Sequence, residues 1–149
     1  MLFSFQLYKL LHLLGLSMLL GGVMTSLLIT RRGKGDAKAD QGAFVASHLV
    51  AAPGLLLVLL TGIGQSFLYQ WVQFKGTGYM HAKILFVVLI IVFLAMDIRA
   101  QGNMRRSLLQ NSTPNEALIK SALATRTLAG SLNLCCLLFI FVLIVFKPF

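Results

Sequence analysis

The residues best suited to chemistry in this sequence are its three histidines, and one of them lies inside a long apolar segment. His12 falls within the run Leu10–Thr30, which contains no charged residue and is long enough to cross a membrane. A titratable imidazole in a bilayer is costly, so it marks a functional site by default. Gly15, Gly22 and Ser26 lie within about 80° of His12 around an ideal helix. This face therefore leaves room for close packing, either by a neighbouring helix or by a flat cofactor.

Two of the histidines are predicted to lie at similar depth in the membrane. At about 1.5 Å of rise per residue, His12 is about 28 Å from Arg31 and His81 is about 24 Å from Asp97. A bis-histidine haem requires one imidazole on each side of the porphyrin plane. A cation at this level, such as Lys83, would pair with the haem propionates. We therefore predict haem b as the cofactor, with His12 and His81 as metal ligands and with Lys83, Gly15 and Gly22 in the binding site.

The third histidine belongs to a different level. His48 is about 12 Å from Asp40, and Met24 is about 10 Å from Arg31, so an imidazole and a thioether face the same layer. This is a weaker prediction of a metal-ligand pair, because an interfacial or structural role for His48 and a packing role for Met24 explain both residues as well.

Simpler interpretations stay open for the other two histidines. His81 follows a loop, so it would lie in the hydrated headgroup region, and Lys83 would reach that region by snorkelling. His12 would hydrogen-bond a neighbouring helix, for instance at Asn133 or Thr61.

Composition defines the elements that must position these residues. The chain has 149 residues, of which 58% are hydrophobic and 11% are charged, and its mean hydropathy is +0.86. These values lie outside the range of soluble domains. Continuously apolar, Leu-rich runs predict helices rather than a barrel, in which apolar and polar residues alternate. We predict an all-α, four-helix transmembrane bundle that forms one integral membrane domain over residues 1–149, with spans at about 7–30, 43–69, 79–96 and 127–146.

The connections predict how the four spans are arranged. The first two loops are short, which favours antiparallel neighbours in up-down-up-down order. The run from Thr113 to Glu116 fits a capping box with Pro114 at the first helical position, so the fourth helix begins well before its apolar part. The third helix continues past Asp97, and both helices are therefore expected to extend into the cytoplasm. Pro53 predicts a distortion in the second span.

The charge distribution predicts the orientation in the membrane. The formal net charge is +9, and most basic residues, including Arg126, are assigned to the side of the first and third loops. The positive-inside rule makes that side cytoplasmic, with both termini on the outer side of the membrane. Asp97 beside Arg99 is interpreted as a solvated helix end. Asn133 and Gln65 are expected to form hydrogen bonds between helices.

Short motifs along the chain resemble a superfamily of bacterial four-helix membrane proteins that includes the protoporphyrinogen oxidase HemJ and the copper-resistance protein CopD. The motifs are Lys9-Leu10-Leu11-His12 with Gly21-Gly22, Pro53-Gly54 with Thr61-Gly62, Tyr79-Met80-His81-Ala82-Lys83, and Lys147-Pro148-Phe149. The second-helix motif is most similar to an uncharacterised branch of predicted integral membrane proteins. The resemblance implies a four-helix fold, b-type haem with His12 as the prime ligand, and a second functional cluster at His81 and Lys83.

Two functions from different classes follow from these observations. The first is a b-type haem-binding redox protein that relays electrons or oxidises protoporphyrinogen, as HemJ does. The second is a non-catalytic accessory subunit of a larger respiratory or energy-transducing membrane complex, in which the glycine face seats a neighbouring helix. The predicted partners are the lipid bilayer and either larger membrane subunits or further copies of the chain. The sequence does not support nucleic-acid binding, because its basic excess is explained by membrane topology.

Overall fold

The structure, a computed structural model, describes residues 2–33, 36–65, 78–110 and 116–146. Within these ranges it is all-helical, which confirms the predicted fold class. Four of its helical stretches are long and apolar enough to cross a membrane. The elements in chain order are α1 (Leu2–Gly33), α2 (Ala37–Phe44), a π-helical segment (Val45–Ala51), α3 (Ala52–Gln65), α4 (Gly78–Gln110) and α5 (Glu116–Phe146).

The second membrane helix runs from α2 through the π-helical segment into α3. In the wider π turn, the backbone N–H of Ala52 bonds to the carbonyl of Ser47, five residues earlier. Pro53 follows immediately, and its ring can neither donate a backbone hydrogen bond nor fit against the preceding turn of a regular helix. The distortion expected at Pro53 therefore begins on its N-terminal side. Such π segments occur frequently at functional sites.

Glycines bring α1 and the second membrane helix into close contact. A Cβ atom added to Gly15 would lie 3.0 Å from the Gly54 carbonyl oxygen and from Val58. One added to Gly22 would lie 2.6 Å from the backbone nitrogen of Ala51. Small residues permit this approach of two backbones in a membrane protein. The sequence left two occupants open for this face, a neighbouring helix or a flat cofactor. In the described residues, a helix of the same chain lies against it.

A shared apolar core joins the four membrane helices. Its buried members are Leu19, Val23, Ala51, Ile90, Leu94, Cys136, Leu137 and Ile140. They come from α1, the π-helical segment, α4 and α5, so each membrane helix contributes at least one. Many other large apolar side chains lie exposed on the outside of the bundle, as expected of helices that face lipid.

The third and fourth membrane helices are longer than their apolar parts, as predicted. α4 has 33 residues and α5 has 31, and both continue beyond Asp97 and Arg126 toward the connection between them. We call this end of the bundle, formed by the C-termini of α1 and α4 and the N-termini of α2 and α5, the basic end. The predicted capping box at Thr113–Glu116, apart from Glu116 itself, and the predicted end of the second span at 66–69 lie outside the described residues.

Candidate functional site

His12 is held by a hydrogen bond to the second membrane helix. Its Nδ1 lies 2.9 Å from Thr61 Oγ1. The Thr61 hydroxyl donates to the Leu57 carbonyl at 2.6 Å. Because a hydroxyl has one proton to donate, Thr61 Oγ1 accepts from His12, and the imidazole proton is assigned to Nδ1. The lone pair is then on Nε2, which is the form in which a neutral histidine binds a metal.

Further polar groups accompany His12 at this level. Lys83, which the sequence places at the same predicted depth, is half-buried near the beginning of α4. Gln65 is one helical turn beyond Thr61, and its Nε2 is buried without a hydrogen-bond partner in the described residues. The sequence predicted that the Gln65 amide forms a hydrogen bond between helices. Its Nε2 makes no such bond in the described residues. We call His12, Thr61 and Gln65 the histidine site.

The remaining predicted ligands lie in different surroundings. His81 is exposed on the first turns of α4, two residues before Lys83. Met24 is 42% exposed on α1. His48 stacks on Phe44, with 4.0 Å between ring centroids, and its Nδ1 lies 3.1 Å from Ser47 Oγ. The structure thus joins His12 to Thr61, and it places Met24 and His48 in different environments.

The residues around His12 fit a haem in part. Nε2 of His12 is competent to bind iron. Gly15 and Gly22 contact the second membrane helix, so a porphyrin could not lie over these two glycines. In the described residues no group of three or more His, Cys, Asp or Glu side chains forms a bare metal site. Haem does not require one, because the porphyrin supplies the equatorial ligands of the iron.

The structure also contains a buried ionic group that the sequence did not predict. Arg126 of α5 is 2% exposed, and its Nη1 lies 2.8 Å from Asp40 Oδ1. Its Nε lies 3.2 Å from Asp97 Oδ1. The interpretation of Asp97 as a solvated helix end is therefore wrong. A guanidinium removed from water requires anionic partners, and two helices supply them.

Gln101 connects this ionic group to the π-helical segment. One orientation of the Gln101 amide gives hydrogen-bond partners to both its oxygen and its nitrogen. In this orientation the oxygen accepts from Arg126 Nη2 at 3.3 Å and from the Phe44 backbone N–H at 2.8 Å. The nitrogen donates to Ser47 Oγ at 3.1 Å. The last residue of α2 and the π-helical segment thus present a backbone N–H and a hydroxyl group, respectively, to a side chain of α4. We call Asp40, Asp97, Gln101 and Arg126 the ion-pair cluster.

A cavity of about 10 Å³ adjoins the ion-pair cluster. Its polar lining includes Ser26, Thr30, Asp97 and Asn133. Asn133 is 1% exposed, yet its Oδ1 has no hydrogen-bond partner in the described residues. The interhelical hydrogen bond expected for Asn133 is thus not made by this atom. A space of this size is at the lower limit for one water molecule.

The sequence contained a usable indication of the ion-pair cluster. The chain has only four acidic residues. Three of them lie in helical stretches that can span a membrane, namely Asp40, Asp97 and Glu116, and Glu116 is the first residue of its stretch. Arg126 also lies inside such a stretch. Ionisable residues within membrane helices tend to pair with one another. Pairing Asp40 and Asp97 with the arginine was therefore possible in principle, although the sequence does not fix which arginine.

The fold and these buried polar groups define a four-helix integral membrane protein. The chain belongs to the family described as "Predicted integral membrane protein (DUF2269)", whose family model matches residues 6–148. No significant match to a curated protein or to a solved structure was found. The family description supports the membrane class and names no activity, so the resemblance to HemJ and CopD stays a prediction.

Proposed function

We propose that this protein is a b-type haem-binding redox protein of the membrane, with His12 as an iron ligand. The observation that supports this most strongly is the hydrogen bond between His12 and Thr61. It assigns a proton to Nδ1, and it fixes the ring against the second membrane helix. Histidines that bind metals typically donate their other ring N–H to a neighbouring acceptor in this way.

The beginning of α4 would provide the other contacts to the haem. His81 is the proposed second ligand, and Lys83, two residues further along α4, is the proposed partner of a propionate. When bound, haem would supply one-electron redox chemistry. The side chains of this protein would bind it, exclude water from it and set its potential through burial. Electron relay and a HemJ-like oxidation of protoporphyrinogen are the two forms of this proposal.

Visible spectra of the purified full chain test this proposal. The protein is expressed with haem supplied, purified in detergent and measured oxidised and after reduction with dithionite. We expect a Soret band and reduced b-type bands in the wild type, and loss of both in His12→Ala. His48→Ala is the matched control and should keep the wild-type spectrum. A wild type without a Soret band, or a His12→Ala variant with full haem content, would overturn the proposal.

A second function, an accessory subunit of a larger membrane complex, is supported by the exposure of α4. In the span His81–Ser107, only 17% of the most apolar window is buried inside the bundle, against 44% for the first span. A helix with so little coverage has a long face for a partner subunit or a second copy of the chain. Purification from native membranes in mild detergent distinguishes the cases: a discrete larger complex supports this function, and a stable monomer contradicts it.

We also propose that the basic end of the bundle faces the cytoplasm of a bacterium. Support comes from the basic residues that the chain places there, because positively charged loops are retained on the cytoplasmic side. Alkaline phosphatase, which folds actively only in the periplasm, is fused to the C-terminus as the reporter. We expect high activity, with low activity for the same enzyme inserted after Arg32. The opposite pattern would overturn this orientation.

A further inference from the structure

A groove between α4 and α5 near the basic end combines positive charge with hydrogen-bonding side chains. Its volume is about 530 Å³. Its polar lining consists of Arg99, Asn103, Arg106 and Ser107 from α4 with Ser121 and Thr125 from α5. None of the residues that line this groove is acidic. Both arginines are exposed, so the electrostatic field in the groove favours an anion.

Ser107 is the residue that indicates a ligand. Its side chain lines the groove and is only 6% exposed, yet its Oγ has no hydrogen-bond partner in the described residues. A buried hydroxyl without a partner is destabilising. The hydroxyls of Ser121 and Thr125 already donate to backbone carbonyls. Ser107 therefore has a hydroxyl proton to donate to a bound oxygen atom.

An apolar track leads along α4 to this groove. Leu85, Val88, Val92 and Met96 are all exposed large apolar residues of α4. Around an ideal helix they lie within about 80° of one another and of Arg99, Asn103 and Arg106. One face of α4 therefore changes from exposed hydrocarbon to cationic and amide groups where the groove begins. A phospholipid has the same order of groups, with acyl chains followed by a phosphate.

We propose that the α4–α5 groove binds the phosphate headgroup of an anionic phospholipid, whose acyl chains lie along the exposed face of α4. Arg99 and Arg106 are two helical turns apart, about 10 Å, and their long side chains can converge on one phosphate. Ser107 would donate a hydrogen bond to it. The apolar track favours a membrane lipid over a soluble phosphate, because a soluble ion makes no use of it. This site does not depend on the proposed haem.

Native mass spectrometry of the full chain in detergent, titrated with phosphatidylglycerol or with phosphatidylcholine, tests the site. We expect tighter binding of phosphatidylglycerol by the wild type. Loss of one arginine near the surface corresponds to about fivefold weaker binding, so Arg99→Gln and Arg106→Gln should each show that loss. Arg32→Gln removes an exposed charge at the same end of the molecule and should leave the apparent affinity unchanged. Equal losses in all three variants would show unspecific attraction and overturn the proposal.

Two further measurements separate binding from folding and lipid from phosphate. Ser107→Ala removes a buried unpaired hydroxyl, so without lipid its melting temperature should equal or exceed that of the wild type. Its stabilisation by phosphatidylglycerol should be smaller than that of the wild type. If phosphatidylglycerol stabilises Ser107→Ala as much as it stabilises the wild type, Ser107 is not part of the site. If inorganic phosphate at millimolar concentration stabilises the protein as well as phosphatidylglycerol does, the ligand is a soluble phosphate and the lipid proposal is wrong.

Discussion

The histidine site and the ion-pair cluster solve the problem of burying polar groups in opposite ways. At the histidine site, the imidazole of His12 hydrogen-bonds Thr61 through Nδ1, and Nε2 is the nitrogen proposed to bind iron. In the ion-pair cluster, the guanidinium of Arg126 is held by two carboxylates and an amide. The first arrangement leaves a group that can take part in chemistry. The second uses most of its hydrogen-bonding capacity internally, as a structural connection between helices does.

The two regions also differ in how they depend on the surrounding helices. The histidine site depends on one close contact, that of α1 with the second membrane helix. The ion-pair cluster joins α2, α4 and α5, and the adjoining cavity adds Ser26 and Thr30 of α1. Damage to the ion-pair cluster should therefore affect the whole bundle, whereas damage to the histidine site should stay local.

The largest effect is expected when the ion-pair cluster loses its cation. Arg126→Leu leaves Asp40 and Asp97 buried without their partner, which typically costs about 3–5 kcal/mol. Thermal unfolding in detergent should show a large decrease in melting temperature. Lys120→Leu, at an exposed position of the same helix, is the control and should be within about 0.5 kcal/mol of the wild type. Equal stability of the two variants would show that the ion-pair cluster does not hold the bundle together.

The next largest effect is expected at the contact between α1 and the second membrane helix. A Cβ atom at Gly22 would lie 2.6 Å from the Ala51 backbone nitrogen, whereas one at Gly21 would have nothing within 4 Å. Gly22→Ala should therefore destabilise the protein by about 1–3 kcal/mol through overpacking. Gly21→Ala should be neutral or slightly stabilising, because alanine favours the helix. Unfolding of the two variants side by side measures the difference, and similar stabilities would contradict the close contact.

The difference between the two regions also explains what could be predicted from the sequence. Four helices follow from long apolar runs, and the importance of His12 follows from its position in one of them. The partner Thr61 was one of two candidates, because helix periodicity alone does not fix which side chains meet. The ion-pair cluster joins residues 86 and 29 positions apart in sequence. Such pairing is set by how the helices pack together, and neither hydropathy nor a local motif encodes that.

A smaller and more specific effect is expected at the histidine site. Thr61→Val keeps the size of the side chain and removes the acceptor for His12 Nδ1, so stability should fall by about 1 kcal/mol. If His12 binds haem, its reduced spectrum or potential should change as well, because the ring orientation is no longer fixed. Thr61→Ser restores the hydroxyl and should restore both properties. A spectrum that does not respond to Thr61→Val would show that this hydrogen bond does not tune the iron.

The smallest effect is expected at Asn133, where the ion-pair cluster borders its cavity. Asn133→Leu replaces an amide whose Oδ1 has no partner in the described residues with an apolar side chain of similar size. Removal of an unsatisfied buried oxygen should be neutral or should stabilise the protein by about 1 kcal/mol. Unfolding in detergent measures this change, with Ile140→Val, a core change without a polar group, for scale. A clear loss of stability would instead show that Asn133 has a partner, such as a water molecule in the adjoining cavity, and that the ion-pair cluster extends two turns further along α5.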